Sequence, residues 1–150
     1  EIVSFDTDMV GPYGYCADIS RTYVEGNKFS DNQKKLYSMA VEQINHNARL
    51  IKPGMSFKEF IEKSWILPEE YYGNRYSVMV HGIGLCDEWP AIRYPTDGGE
   101  RSGTFETNMT ITVESYIGKV GGNEGVKLEQ QYLVGKNNLE LMSHHPLEDI

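Results

Sequence analysis

The sequence predicts an α+β protein in which mainly antiparallel strands surround a polar site and helices pack outside the strands. Strand-like runs rich in β-branched residues occur toward both ends of the chain, and helical periodicity lies between them. The chain has 150 residues, of which 39% are apolar, and this suffices for one core and one domain. Acidic residues lie within several strand-like runs, where a buried charge is costly unless it is paired or binds a cation.

The first third of the chain predicts a hairpin and a long helix. Residues 2–8 and 13–24 are strand-like runs on either side of the turn at Gly11-Pro12. Ser30 is a favourable cap for a helix that runs to about residue 51, where a Pro-Gly pair stops it. The apolar positions of this helix recur in steps of three and four and should face the core; they are Leu36, Ala40, Ile44, Ala48 and Ile51.

The middle of the chain predicts two shorter helices and a strand. Ser56 with Glu59 resembles a capping box for a helix that ends near Lys63. A third, short helix is expected over residues 68–76, and an apolar strand over 77–81 follows it.

The last part predicts a loop, two strands and an irregular tail. Residues 82–106 are rich in Gly, Asp and Pro, as is typical of loops. Strands are expected near 109–116 and 125–134, joined by a Gly-rich turn. The tail, residues 137–150, is expected to be a surface segment of low regularity.

Composition argues against two classes of partner. The net charge of −8 disfavours nucleic acid, because a phosphate-binding surface needs clustered Lys and Arg. No apolar run has the length of a membrane span. Cys16 and Cys86 both lie in sequence contexts typical of the interior, which favours a reduced, cytoplasmic protein, with a disulfide between the two as the alternative. Arg21 is expected to pair with a nearby acid. Because Glu1 opens the chain inside a strand pattern, we interpret the sequence as lacking an N-terminal portion.

Five carboxylates and one imidazole form a candidate ligand set for two metal ions. Carboxylates clustered within a few ångströms repel one another, and cations between them remove that repulsion. Paired ions are typically about 3.5–4 Å apart and are bridged by carboxylates. We expect Asp18 and Glu129 to bridge, Asp6 with Asp8 on the same strand face to hold one ion, and His81 and Glu114 to hold the other.

The ligand types also restrict the metal. One histidine among many oxygens disfavours a structural zinc site, which prefers Cys and His. Iron is the preferred assignment, with manganese, cobalt and zinc as alternatives, since ligand type alone selects weakly among these ions.

The order of the motifs resembles the pita-bread metallopeptidase superfamily, which includes methionine aminopeptidase, aminopeptidase P, prolidase and creatinase. The matching segments are FDTDMVGPYGYCADISRT, HGIGL, ITVES and VKLEQQYLV. The resemblance implies that residues 1–150 are the C-terminal part of a pita-bread catalytic domain, with a curved antiparallel sheet and outer helices. It also implies that the N-terminal domain and the start of the catalytic domain are absent from this sequence.

Two departures from the peptidase pattern resemble the dimethylsulfoniopropionate lyase branch of that superfamily. Asp87 stands where the peptidases have a second histidine, and Asp8 is an additional acid. The resemblance implies cleavage of dimethylsulfoniopropionate to dimethyl sulfide and acrylate, with Asp87 as the base and Tyr76 in the pocket. It supports the six metal ligands, and it implies a homodimer of marine bacterial origin.

The residue types suit such an elimination. A partly desolvated carboxylate at Asp87 can take the proton beside the substrate carboxylate, although an ordinary loop acid is the simpler interpretation of one Asp. A sulfonium cation favours aromatic faces, and Tyr76, Trp89 and Tyr94 are candidates. Each of these aromatic residues can instead have only a packing role.

Two other functions remain open at this point. The ligand set also suits a peptidase of the prolidase or aminopeptidase P kind, which cleaves Xaa-Pro peptides. A metal-free binding module is the third alternative, and the complete ligand set disfavours it.

Overall fold

The computed structural model describes residues 1–148 and shows helices packed against antiparallel sheets. The strands are β1 Ile2–Asp6, β2 Met9–Val10, β3 Cys16–Ala17, β4 Ser20–Val24, β5 Val78–Gly82, β6 Ala91–Arg93, β7 Thr110–Gly118, β8 Gly125–Val134 and β9 Leu139–Leu141. The α-helices are α1 Asp31–Leu50, α2 Phe57–Lys63 and α3 Glu69–Tyr72. These elements confirm the predicted α+β class.

The largest sheet has five antiparallel strands in the order β6-β5-β7-β8-β9. Separately, β1 pairs with β4 and β2 pairs with β3, so the chain forms an interrupted hairpin before α1. The central strand β7 is buried along most of its length and pairs with β8 over nine positions. Chemical groups on β5, β7 and β8 are therefore held by the most extensively hydrogen-bonded part of the fold.

Helix α1 confirms the periodicity argument. Ser30 accepts a hydrogen bond from the Gln33 amide, and the Gln33 side chain bonds back to the Ser30 amide, which completes a capping box. Leu36, Ala40 and Ile44 are at most 2% exposed in the core. The helix thus covers the sheet with its apolar face, as predicted.

The two shorter helices differ from the prediction in detail. Ser56 caps α2 by accepting from the Glu59 amide, but the Glu59 side chain pairs with Lys63, so only half of the capping box forms. Helix α3 covers only Glu69–Tyr72 rather than residues 68–76. The Arg75 guanidinium bonds to the carbonyl of Tyr72 and thereby ends the helix.

The secondary structure of three segments differs from the prediction. The first strand ends at Asp6, and Asp8 follows in a turn with a φ of 22°. The predicted loop contains β6, because Ala91 and Ile92 are apolar and add to the open edge of β5. The predicted irregular tail contains β9, which pairs with β8; residues 149 and 150 of that tail lie outside the described part.

Two further predictions were wrong, on the burial of Cys86 and on the partner of Arg21. Cys86 is exposed rather than interior, whereas Cys16 is partly buried. Arg21 is 2% exposed and donates to no carboxylate within residues 1–148. Its guanidinium instead binds the side chain of Gln130 and four backbone carbonyls, those of Ser20, Glu129, His145 and Pro146.

Replacing Arg21 with methionine should lower the free energy of unfolding by about 3 kcal/mol, because several buried carbonyl acceptors would lose their donor. Chemical denaturation followed by circular dichroism measures the change. Arg49→Met, on the exposed face of α1, is the matched control. If the free energy of unfolding changes no more in Arg21→Met than in the control, the hydrogen bonds of Arg21 do not stabilise the fold as stated.

Within residues 1–148, no helix is both long enough and apolar enough to span a bilayer.

Candidate metal centre

Two glutamates lie directly opposite each other in the main sheet. Glu114 of β7 pairs in register with Glu129 of β8, and each residue is 1% exposed. Like charges at opposed positions of neighbouring strands destabilise a sheet. The pair therefore requires positive charge close by.

His81 supplies an imidazole to this pair from the neighbouring strand β5. Its Nε2 lies 3.1 Å from Glu129 Oε1 and 3.8 Å from Glu114 Oε1. Its Nδ1 lies 3.0 Å from the Gly82 carbonyl, a hydrogen bond that orients the ring with Nε2 toward the acids. This is the orientation of a histidine that binds a metal through Nε2.

Asp18 completes the buried part of the cluster from the segment between β3 and β4. Its Oδ2 lies 3.7 Å from His81 Nε2, and its backbone amide donates to the Gln131 side chain. Asp18, His81 and Glu129 each bring a ligand atom within 4.8 Å of the others. The three residues can hold one metal ion.

The hydrogen bonding of two buried carboxylate oxygens indicates whether a cation fits the cluster. Asp18 Oδ1 and Glu114 Oε1 have no hydrogen-bond partner among the described residues. A buried carboxylate oxygen without a donor is costly, and coordination to a cation removes that cost. The chemistry of the donor set thus agrees with a hard, oxygen-preferring metal ion.

Asp6 and Asp8 border the same cavity but are more exposed than predicted. Asp6 Oδ1 accepts from Ser20 Oγ at 2.6 Å, and Ser20 Oγ also lies 3.0 Å from Glu129 Oε2. Because β1 ends at Asp6, the two aspartates do not share a strand face as expected. The turn at Asp8 nonetheless places its carboxylate within 4.8 Å of those of Asp18 and Asp87.

A folded-back loop carries Asp87 to this cluster. The Gly82 amide donates to the Pro90 carbonyl, and a Cβ at position 82 would lie 2.1 Å from the Trp89 carbonyl oxygen. Only glycine allows so close an approach. The Cys16 amide also donates to Gly84, so the same loop is joined to the segment that carries Asp18.

The predicted aromatic residues occupy three different environments. Tyr76 lines the cavity of about 420 Å³ around the carboxylates and lies 3.2 Å from Glu88 through its hydroxyl. Trp89 is 62% exposed and lines a neighbouring, more apolar cavity of about 350 Å³. Tyr94 is buried in the core, where its hydroxyl accepts from Gln43, so the structure does not place it at either cavity.

Sequence reasoning missed Lys127, which contacts Glu114 inside the cluster. The signal was available: Lys127 precedes Glu129 by two residues on β8, so both side chains point to one face of the sheet. Ser20 was also missed, and its register with Asp6 follows only from the pairing of β1 with β4.

The pKa values reflect burial and mutual charge. Burial and the negative charge of Glu129 raise the pKa of Asp18 to about 8. Burial lowers the pKa of His81, but its hydrogen bond with Glu129 and the charge of Glu114 outweigh this and raise it to about 9. Burial, followed by the charge of Asp8, raises the pKa of Asp87.

Metal affinity should therefore increase with pH. Asp18 and His81 hold protons below their raised pKa values of about 8 and 9, and a metal ion must displace them. From about pH 6 to pH 8, the dissociation constant should fall by up to about tenfold per pH unit for each proton displaced. Calorimetric titration in buffers of different ionisation enthalpy measures the protons released. Equal affinity at both pH values with no proton release would contradict these pKa shifts.

An antiparallel framework that presents buried carboxylates and one imidazole to a cavity is of the kind that can hold a metal ion. The chain matches the model of Metallopeptidase family M24 over residues 1–136, and it belongs to that family. Its structural neighbours have the pita-bread fold, which confirms the fold that the motifs implied.

Individual relatives agree with this assignment. The chain is 39% identical to Dimethylsulfoniopropionate lyase DddP of Roseovarius nubinhibens and 37% identical to that of Roseobacter denitrificans, over 99% of its own length. It spans about a third of the length of these relatives, 34% in each case. A solved prolidase from Pyrococcus horikoshii is similar with a TM-score of 0.77 and 26% identity, over 99% of this chain and 42% of that one.

Proposed function

We propose that the intact protein is a metal-dependent lyase that converts dimethylsulfoniopropionate to dimethyl sulfide and acrylate. The observation that carries the proposal is the position of Asp87, whose carboxylate lies within 4.8 Å of Asp8 and Asp18 at the edge of the ligand cluster. The likeness to two relatives named as lyases of this substrate supports it.

The proposed centre holds two metal ions, with iron as the preferred identity. Asp18, His81 and Glu129 form a fully buried group of candidate ligands, and the opposed Glu114 adds a buried oxygen without a donor among the described residues. Asp6 and Asp8 add carboxylates from the exposed side. Metal ions bound there supply Lewis acidity toward a carboxylate of the substrate.

Asp87 acts as the base in this proposal. Its Oδ2 takes a proton from the carbon beside the substrate carboxylate, while Oδ1 accepts a hydrogen bond from the Glu88 amide. The electron pair of the broken C–H bond forms the new C=C bond. The C–S bond breaks with its electrons moving to sulfur, so the sulfonium leaves as neutral dimethyl sulfide and acrylate remains.

Tyr76 offers an aromatic face for the cationic sulfur. Its ring borders the cavity that contains the ligand carboxylates, and cations bind to such faces. Burial and the charge of Glu114 raise the pKa of Tyr76 to about 12, so its hydroxyl stays protonated and can donate to Glu88. Trp89 is proposed as a contact only for a substrate that reaches the neighbouring apolar cavity.

The second candidate is a metallopeptidase that cleaves Xaa-Pro peptides. The family model and the likeness to a prolidase favour it. Asp87 stands where the peptidase motif has a histidine, and this disfavours peptide hydrolysis, because an anionic carboxylate cannot donate a hydrogen bond to a developing oxyanion.

A direct comparison of substrates distinguishes the two candidates. The intact protein, loaded with iron, is incubated with dimethylsulfoniopropionate or with an Xaa-Pro dipeptide. Gas chromatography detects dimethyl sulfide and amino-acid analysis detects free proline. Dimethyl sulfide without proline supports the lyase; proline without dimethyl sulfide overturns it. A homodimeric assembly and a cytoplasmic location stay predictions.

A further inference from the structure

Lys127 is a buried positive charge at the proposed metal ligands. Its side chain is 11% exposed, its ammonium contacts Glu114 Oε2, and it lies 3.8 Å from Glu129 Oε2. Both glutamates belong to the proposed ligand set. Any cation that binds their Oε2 atoms must share those oxygens with the ammonium.

The two glutamates present different oxygens to different neighbours. His81 Nε2 faces Oε1 of both residues, at 3.1 Å for Glu129 and 3.8 Å for Glu114. The ammonium of Lys127 faces Oε2 of both. The Oε1 side also carries Asp18, whereas Ser20 joins the Oε2 side of Glu129 to Asp6. The cluster therefore has an Oε1 side, with His81 and Asp18, and an Oε2 side. Lys127 lies on the Oε2 side, which Ser20 connects to Asp6.

We infer that Lys127 competes with one of the two metal ions, so that the ion on the Asp6 side binds only when the ammonium leaves Glu114. This inference rests on the proposed two-ion centre. The ion on the side of Asp18 and His81 meets no such competitor, because the lysine faces the opposite oxygens. Binding is thus strong for the first ion and weaker for the second.

The ammonium of Lys127 has a second partner in the same cavity. Lys127 Nζ lies 4.4 Å from the centre of the Tyr76 ring, at the distance of a cation–π contact. Both side chains line the same cavity. The ammonium therefore keeps an aromatic partner when it leaves Glu114.

Metal titration of the intact protein tests the inference. The protein is stripped of metal and titrated with Mn²⁺ by calorimetry. The wild type should bind two ions with unequal affinity. In Lys127→Met, the second dissociation constant should fall about tenfold or more, because the ion no longer competes with a close ammonium for the glutamate oxygens. Lys127→Arg, which keeps the charge, should retain the wild-type pattern.

Controls separate competition from a structural role. Lys119→Met removes an exposed lysine that pairs with Glu70, and it should leave both affinities unchanged. Without metal, Lys127→Met should unfold at a lower temperature than the wild type. Added Mn²⁺ should raise the melting temperature of the variant by more than it raises that of the wild type. If Lys127→Met does not fold without metal, Lys127→Gln provides the same comparison with an uncharged polar side chain.

An unchanged or weaker second affinity in both neutral variants overturns the inference. The readout does not depend on catalysis. A protein with the expected titration pattern that releases no dimethyl sulfide would support the role of Lys127 and refute the lyase proposal.

Discussion

Replacing Asp87 with alanine should reduce dimethyl sulfide release by a factor of about 10²–10⁴, the contribution typical of a general base. The bound metal should stay at the wild-type level. Asp87 lies within 4.8 Å of Asp8 and Asp18, close enough to reach a metal ion there, whereas the buried group of Asp18, His81 and Glu129 does not include it. Loss of activity with retained metal separates a base from a ligand.

The reason for so large an effect is that the proton to be removed is only weakly acidic. Burial and the charge of Asp8 raise the pKa of Asp87, which makes its carboxylate a stronger base than a solvated one. Asp87→Asn keeps the shape and should be equally inactive. Asp31→Ala, at the exposed start of α1, is the matched control. If Asp87→Ala keeps full activity, the base is another residue.

Replacing His81 with alanine should cost more than about 100-fold in metal affinity, since even groups that only orient a ligand are worth 10–100-fold. His81 is 1% exposed and faces three carboxylates. Its removal takes away a candidate ligand and also the hydrogen-bond partner of Glu129 Oε1. Dimethyl sulfide release should fall in parallel with the metal content.

His46→Ala is the matched control for this prediction. His46 lies on the exposed side of α1 and contacts the Lys63 carbonyl, far along the chain from the ligands. It should bind metal as the wild type does. If His81→Ala binds as much metal as the wild type, His81 is not a metal ligand.

Local patterns in the sequence predicted much of this fold. The long helix followed from a capping serine and apolar residues at helical spacing, because both signals lie within a few residues of one another. The strands around Glu114 and Glu129 followed from runs of β-branched residues, and their pairing placed the two acids opposite each other.

The parts that were missed depend on partners distant in sequence. Strand β9 forms because the edge of β8 accepts it, since the three alternating residues of Leu139–Leu141 are too few to predict a strand by themselves. Arg21 binds backbone carbonyls more than a hundred residues away, which no local motif encodes. The position of Asp8 depends on a turn with positive φ rather than on strand alternation.

The candidate site shows the same division. The six candidate ligands were predicted from their sequence contexts and motif order, and all six line one cavity, while their binding of metal stays a prediction. Lys127 was overlooked because a lysine on a strand is usually solvated, whereas here the facing Glu114 holds it inside the sheet. Tyr94 lies in the core because its ring packs against Tyr72 there.

Elemental analysis of the purified intact protein tests the metal centre most directly. After exhaustive dialysis, we predict at least one tightly bound transition-metal ion per chain, and its loss when Asp18 and Glu129 are both changed to their amides. A well-folded wild type that retains no metal, and that is as stable as the doubly neutralised variant, would contradict the account.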